Sequence, residues 1–407
     1  MSHIDTEKVE VGFDLTSGAG PFLKLDDPVA GKLDDPDWGL GGTIFYDITD
    51  YVRTFSIARG RSNLFNQFPA GQAIVEFNNH DRTFDPLYTS SPFYGNIIPN
   101  REIRITSGTV VQFTGWIDDW NLTYSPDGNS IAEAVASDAT SLLANRTLAE
   151  GTPSVQTSGA RINAILDSAD VAWASGLRAI DTGAAELSDY PIDDGANALN
   201  YLQQVAKTEP GNLFIDKVGR VAFQDRTVAP TTASLTQFGG TGIAFANLEV
   251  VYGSEVLYNQ IQVSRLGGGT AVVTDTDSVA EYGIHNLTES DLLYSTDTQL
   301  VDLALNYAVQ YSQPEYRFNA LEVQLHKLSE SLQAEMHDLE LGSVCKVTFT
   351  PNSIGDPIER FVEVIRIQHF VTPEEHTMML GFRSLDFASI VLDDAEFGKL
   401  DVYSLSW

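Results

Sequence analysis

The residues best suited to chemistry are two adjacent carboxylates between two tryptophans, in the run from Trp116 to Trp120. A glycosidase needs two carboxylates flanking a sugar cleft, and indole faces stack well on sugars. The pattern is equally typical of a strand end, where alternate aromatic side chains are buried and Asp118 and Asp119 face solvent. Two interpretations remain: a carbohydrate-binding or carbohydrate-active protein with Trp116 and Trp120 as its stacking platform, or a strand without a catalytic role.

Other candidate catalytic and metal-ligating groups lack the spacing that their chemistry requires. The sequence has no G-x-S-x-G motif, and its glycine-rich runs lack the Lys and Ser or Thr of a phosphate-binding loop. The seven histidines are scattered, and the run Glu374-Glu375-His376 is not the H-E-x-x-H zinc motif. The single cysteine, Cys345, lies in a strand-like run, which predicts a buried structural thiol. We therefore predict no catalytic residue, no cofactor and no metal site.

The charge balance is strongly acidic. The 407 residues include 56 Asp and Glu against 24 Lys and Arg, a formal net charge of −32. Tight nucleic-acid binding requires clustered Lys and Arg, which this sequence lacks, and the same balance disfavours anionic membrane surfaces. No apolar run is long enough for a membrane span, and the start lacks signal-peptide features, so we expect folding in a reducing cytoplasm. The acidity favours either solubility or a surface that must not adhere to a nearby polyanion.

Short alternating strands separated by turns predict a mainly β protein that is interrupted by helices. The first strand-rich region runs from about Tyr46 to Asp138. Hairpins are predicted around two later turns, Lys217–Gly219 and Gly267–Gly269. Apolar residues at helical spacing predict helices within 138–148, 160–172, 195–207 and 300–311. Strands are predicted at Leu321–Leu325, Val344–Phe349, Phe361–Phe370 and Met378–Arg383.

The order of several short motifs is more informative than any one of them. They are Asp50–Arg61, Gly71–Pro86, Gly95–Arg101 and Phe113–Trp120 in the first half, and Tyr258–Ile261, Tyr282–Ile284, Gln313–Glu315 and Leu341–Val344 in the second. This order resembles that of the minor tail and tail-hub proteins of long-tailed bacteriophages, which are related in fold to the baseplate hub of contractile tails. The resemblance covers about 48–385; the usual Pro-Gly-Arg before a strand is here Pro99-Asn100-Arg101.

The resemblance implies a mainly β fold with two tube-like β-barrel domains and an α/β insertion between them. The implied parts are an extended N-terminal arm (1–47), a first β-barrel domain (48–145), an α/β insertion domain (146–245), a second β-barrel domain (246–385) and a C-terminal extension (386–407).

The resemblance also implies a role in the virion. The chain would be a structural, non-enzymatic homotrimer at the tail tip, assembled in the host cytoplasm and forming a ring that closes the tail tube. Its implied partners are the distal tail protein, the tape-measure protein and tail fibre or receptor-binding proteins. If the acidic residues line the channel of such a ring, DNA passing through during ejection would be repelled. The distal tail protein of the same particle, usually hexameric, remains an alternative.

A short repeat lies near both ends of the chain. Leu25–Asp34 and Leu392–Asp401 are identical at seven positions. We predict that the tails 22–41 and 391–407 are extended and lie against neighbouring chains. Aromatic side chains contribute much of the binding energy in such contacts. The candidate interface residues are Trp38, Phe397 and Trp407.

Overall fold

A computed structural model of the chain describes residues 7–13, 44–63, 65–126, 128–226 and 235–385. The two tails, with the candidate interface residues Trp38, Phe397 and Trp407, lie outside the described residues. Their extended conformation and their contacts therefore remain predictions.

The first part of the chain, which we call the first sheet region (7–137), has seven strands in its described residues. They are β1 (Glu7–Phe13), β2 (Ile44–Asp47), β3 (Val52–Gly60), β4 (Gln72–Asn78), β5 (Glu102–Ser107), β6 (Val110–Thr123) and β7 (Ile131–Ser137). Along β4 and β7 every second side chain is buried, as the alternating sequence predicts. The described residues of the expected N-terminal arm are part of the sheet, since β1 pairs with both β5 and β2.

Short helices and very short strands follow. They are α1 (Thr140–Ala144), β8 (Thr147–Leu148), β9 (Gln156–Thr157), α2 (Ser158–Asp167), β10 (Arg178–Ile180), β11 (Glu186–Leu187), β12 (Ala196–Asn197), α3 (Ala198–Thr208), β13 (Asn212–Ile215) and β14 (Val221–Gln224). The helix expected over 138–148 is only five residues long because the residues after it pair as β8 with β12. Helix α3 begins at a cap in which the Asn197 side chain accepts from the Asn200 amide, and it ends before Pro210, as predicted.

The remaining elements are again mainly strands. They are β15 (Thr236–Phe238), β16 (Asn247–Gly253), β17 (Gln260–Arg265), β18 (Thr270–Thr274), α4 (Thr276–Tyr282), β19 (Asn286–Leu292), α5 (Asp297–Tyr311), β20 (Glu315–Gln324), α6 (Glu330–Asp338), β21 (Val344–Phe349), β22 (Ile358–Val371) and β23 (His376–Ser384). The two predicted hairpins, β13–β14 and β17–β18, are confirmed. So are the long helix α5 and the last four strands.

Thirteen strands join in one sheet, in the order β16-β20-β23-β22-β3-β4-β7-β6-β5-β1-β2, with β21 beside β22 and β15 beside β21. Strand β22 joins the strands of the last third of the chain to those of the first: its first part pairs with β21, and its last part, from Arg366, pairs with β3. The change of partner occurs beside Gly60, where a Cβ atom would lie 2.2 Å from the Ile365 carbonyl oxygen. Glycine is required there for two reasons: a Cβ atom would clash, and the φ of +102° disfavours other residues.

The buried apolar residues of the described part of the chain form three cores. One lies in the first sheet region. A second lies in what we call the second sheet region, 235–253 and 315–385. The third contains α2, α3 and α5 and is built from two chain segments, 139–226 and 254–312, which we call the helical body. Strands β16 and β20 pair directly, so the segment 254–312 leaves and re-enters the sheet at one place.

The mainly β fold class with helices inserted between strands is confirmed. The helical body extends beyond the expected insertion, 146–245, because α5 packs on β17 and β18 and its apolar side chains join the core of α2 and α3. The division into two barrels remains a prediction.

Candidate functional site

The first sheet region, the helical body and the second sheet region meet at a buried polar junction. Its centre is formed by one carboxylate, Glu7 on β1, and three histidines: His337 at the end of α6, His369 on β22 and His376 at the start of β23. All four side chains are buried. The hairpin β22–β23 holds two of the histidines on adjacent strands, and the pairing of β22 with β3 joins that hairpin to the first sheet region.

Each ring nitrogen of His376 faces a polar partner. Its Nδ1 lies 3.3 Å from Glu7 Oε1. Its Nε2 lies 3.1 Å from Nδ1 of His369. The second carboxylate oxygen of Glu7 accepts a short hydrogen bond from the Ser107 hydroxyl on β5. The carboxylate and the imidazole are therefore both held in place by hydrogen bonds from neighbouring strands.

The third histidine of the cluster is less well paired. The His337 ring centroid lies 5.4 Å from that of His376 and 6.3 Å from that of His369. Its Nδ1 is buried and has no hydrogen-bond partner among the residues that the structure describes. Burial lowers the pKa of His337 to about 4 and the pKa of His369 well below its usual range. Both rings are therefore neutral at pH 7, and each neutral ring has a nitrogen lone pair available.

A second set of polar contacts fixes the end of α6, next to the histidines. Lys217, in the turn between β13 and β14, donates from Nζ to the carbonyl oxygens of His337 (2.7 Å) and Asp338 (3.0 Å). Glu340 accepts from the Lys217 amide at 2.9 Å and from the buried Arg59 guanidinium at 2.7 Å. The last carbonyl groups of a helix lack partners within the helix, so these contacts cap α6.

The tryptophans and carboxylates singled out in the sequence do not form a common site. Trp116 packs against the core of the helical body, whereas Trp120 packs against the core of the first sheet region. The Trp120 ring lies nearly parallel to Phe84 at 5.8 Å, and its Nε1 donates to a backbone carbonyl. Asp118 accepts from a serine hydroxyl at 2.5 Å and is exposed. The stacking platform required by the carbohydrate interpretation is therefore not assembled.

The prediction for Cys345 is confirmed: the thiol is buried in β21, and burial raises its pKa to about 12. The histidine junction, in contrast, was missed by sequence reasoning. Its members lie at positions 7, 337, 369 and 376, so no local spacing relates Glu7 to the histidines. The one usable signal is that His369 lies at the end of the predicted strand Phe361–Phe370 and His376 just before the next predicted strand, Met378–Arg383.

The fold can be compared with known structures. No protein-family model and no curated protein matches the sequence. The tail protein from Neisseria meningitidis MC58 superposes with a TM-score of 0.58 at 10% identity, over 93% of this chain and 96% of that chain. The 43 kDa tail protein of prophage MuSo2 from Shewanella oneidensis superposes with a TM-score of 0.53 at 15% identity, over 84% of this chain and 95% of that chain. Prophage tail protein gp18 from Listeria monocytogenes EGD-e superposes with a TM-score of 0.50 at 11% identity, over 83% of this chain and 91% of that chain.

These likenesses define the fold: this chain has the fold of phage tail proteins. The resemblance predicted from the order of its motifs is confirmed at that level. None of the described helices is both long and apolar enough to cross a membrane.

Proposed function

We propose that the chain is a structural component of a phage tail tip, a tail hub whose copies form a ring that closes the tail tube. The observation that carries the proposal is the extent of the fold likeness, 93% of this chain and 96% of the Neisseria tail protein. A match of that extent includes the sheet regions and the helical body together. The match therefore covers the architecture of a whole tail protein, and not a single domain that occurs in many unrelated proteins.

The described surface supports a role in assembly. Strand β16 lies at one end of the sheet order and presents an edge, and its Tyr252 is 68% exposed. Helix α5 exposes an apolar stripe at four-residue spacing: Val301, Leu305 and Val309, the last 81% exposed. Open strand edges and exposed apolar patches are typical of surfaces that other proteins cover. Both features are expected of a subunit that functions in a ring.

The proposed ring is a homotrimer in the virion, at the tail tip. Its proposed partners are the distal tail protein, the tape-measure protein and tail fibre or receptor-binding proteins. The role is structural and not enzymatic. The distal tail protein of the same particle is the nearest alternative, and symmetry distinguishes it because that protein is usually hexameric.

The first experiment measures symmetry. Native mass spectrometry and particle imaging of the purified full chain should show trimers that co-assemble with tail proteins. Hexamers would favour the distal tail protein, and a chain that stays monomeric and joins no tail protein would overturn the proposal. Incubation with duplex DNA at physiological salt should give no complex, because net charge −32 opposes phosphate binding.

Two variants then locate the subunit contacts. Val309→Asp places a charge on the exposed stripe of α5 and should lower the trimer fraction. Ile354→Asp, on a loop residue that is 76% exposed, serves as the matched control. Deleting 391–407 should leave a folded monomer that assembles poorly, since we propose that Phe397 and Trp407 are interface anchors. A trimer that persists after either change excludes that surface as the contact.

A further inference from the structure

We propose that Glu7, His337 and His376 bind one divalent transition-metal ion, with Zn²⁺ as the best fit, and that the ion fastens strand β1 to helix α6 and hairpin β22–β23. The proposal concerns the histidine junction alone and does not depend on the proposed function.

The donor atoms lie close enough to share an ion. One donor atom from each of the three side chains lies within 4.8 Å of the others. Zn²⁺ in a tetrahedral site binds nitrogen and oxygen at about 2.0–2.1 Å, which separates its donors by roughly 3.3–3.4 Å. The distance from Glu7 Oε1 to His376 Nδ1 is already 3.3 Å. The His337 donor lies within 4.8 Å of the other two, so the site closes around an ion once the His337 ring moves toward them.

The second observation is the unpartnered nitrogen of His337. This side chain is only 7% exposed, and its Nδ1 has no hydrogen-bond partner among the described residues. A buried polar group without a partner lowers stability, so such groups are rare in folded proteins. A neutral imidazole is the protonation state that binds metals. An ion bound through Nδ1 of His337 would supply that nitrogen with a partner.

The surroundings of the other two ligands have the hydrogen bonds that metal ligands usually have. When His376 binds the ion through Nδ1, its Nε2–H is free to donate to His369 Nδ1, 3.1 Å away. The Ser107 hydroxyl donates to the Glu7 oxygen that does not face His376. Such outer hydrogen bonds set the tautomer and the orientation of the ligands, and losing one typically weakens metal binding about 10–100-fold.

The donor set selects the class of ion. Two imidazoles and one carboxylate are a typical zinc set that leaves a fourth position for water, whereas Ca²⁺ and Mg²⁺ prefer oxygen ligands throughout. The position of the ligands along the chain indicates that the ion has a structural role. They belong to the beginning of the described chain and to its last third, so a single ion would join segments separated by more than 300 residues and stabilise the folded state.

The test uses the untagged full chain. After equilibration with Zn²⁺ and removal of the excess, elemental analysis should find about one zinc per chain. Zinc at about 100-fold above its Kd should raise the Tm by a few degrees, and EDTA should reverse the rise. Co²⁺ in place of zinc should give the visible absorption bands of a tetrahedral nitrogen and oxygen site.

Variants show whether the ion binds at this place. His337→Ala and His376→Ala should each weaken zinc binding at least about 100-fold, since removing a ligand exceeds the loss of an outer hydrogen bond. His285→Ala, a histidine far from the junction in sequence, should bind like the parent chain. Ser107→Ala keeps all three ligands and should weaken binding about 10–100-fold, which tests the site if a ligand variant fails to fold.

Three results would overturn the proposal. The parent chain could retain no zinc and show no change of Tm, or bind only at millimolar zinc. It could also bind one zinc that the His337, His376 and Ser107 variants retain with unchanged affinity. In each case the cluster is a hydrogen-bond network between Glu7, His376 and His369 without a metal.

Discussion

The first sheet region and the helical body bury their cores in different ways. In the sheet region, the loop between β4 and β5 closes the core with stacked aromatic rings. The Phe84 ring lies 4.7 Å from Phe77 and 5.8 Å from both Trp120 and Phe93. The loop is held over this core by its own turns, as where the Asn79 side chain accepts from the Phe84 amide at 2.9 Å.

The helical body encloses two charged side chains that are fully buried. Arg161 is fully buried and donates to the Tyr201 hydroxyl at 2.7 Å and to two backbone carbonyl oxygens at 2.8 Å. Glu209 is also fully buried and accepts from the Ser158 hydroxyl at 2.7 Å and from two backbone amides.

The difference follows from the backbone. Long paired strands satisfy their own N–H and C=O groups, so their core can be entirely apolar. The helical body consists of helices of 5 to 15 residues, strands of two to seven residues and many loops. The loop amides and carbonyls that become buried need partners. Arg161 and Glu209 supply them. The first core should therefore be sensitive to lost packing and the second to lost hydrogen bonds.

The largest effect is expected in the aromatic core. Phe84→Ala removes a fully buried ring and should lower the free energy of unfolding by about 3–5 kcal/mol. Leu87→Ala, in the same loop but 83% exposed, should change it by less than about 0.5 kcal/mol. Chemical denaturation followed by tryptophan fluorescence measures both. Equal effects of the two variants would show that the loop does not close this core.

A smaller effect is expected in the helical body. Glu209→Gln keeps the size of the side chain but replaces a charged acceptor by a neutral amide that repels one of the bound donors. The free energy of unfolding should fall by about 1–3 kcal/mol. Glu150→Gln, on an exposed loop residue, is the control. If Glu209→Gln is neutral in denaturation experiments, buried charge is not what holds the helical body together.

The contact between the helical body and the second sheet region is tested by Lys217→Met. The variant keeps the apolar stem of the side chain and removes the ammonium that caps α6. The free energy of unfolding should fall by about 1 kcal/mol, which is in the range for a cation at a helix C-terminus. Lys327→Met, on an exposed residue, should have no measurable effect. If Lys217→Met leaves the free energy of unfolding unchanged, this contact does not stabilise the packing of the helical body against the second sheet region.

The effect that is smallest near neutral pH concerns the second sheet region and grows as the pH rises. Burial raises the pKa of Cys345 to about 12, while the thiol of the unfolded chain ionises near 9. Between these values the unfolded chain loses a proton that the folded chain keeps, so stability falls as pH rises through this window and is unaffected below it. In Cys345→Ala the free energy of unfolding should fall less steeply with pH. Chemical denaturation of the parent chain and of the variant at several pH values measures the difference.

The same cysteine reports unfolding. Because it is the only cysteine in the chain, a thiol reagent should label the native protein slowly at pH 8 and rapidly once the second sheet region opens. Fast labelling of the native protein would contradict both the burial and the raised pKa. Comparing the labelling with tryptophan fluorescence shows whether the sheet regions unfold together.

Local patterns accounted for much of the secondary structure. The alternation in β4 and β7, the hairpin β17–β18 and the end of α3 before Pro210 were all readable because side-chain periodicity and turn residues act over a few positions. The strand β1 was missed as part of the sheet. Its burial does not alternate at its end, where Val11, Gly12 and Phe13 are all buried, and its partners β2 and β5 lie far along the chain.

The sequence by itself determined the mainly β class, the acidic charge, the buried character of Cys345 and the order of motifs that pointed to phage tail proteins. These properties depend on composition, on short-range periodicity or on order along the chain. Only the tertiary structure decided that Trp116 and Trp120 belong to different cores, that two distant segments build one helical body, and that Glu7 meets His337 and His376. Those contacts depend on strand pairing and core packing between residues far apart, and no local pattern specifies which distant side chains will share a buried site.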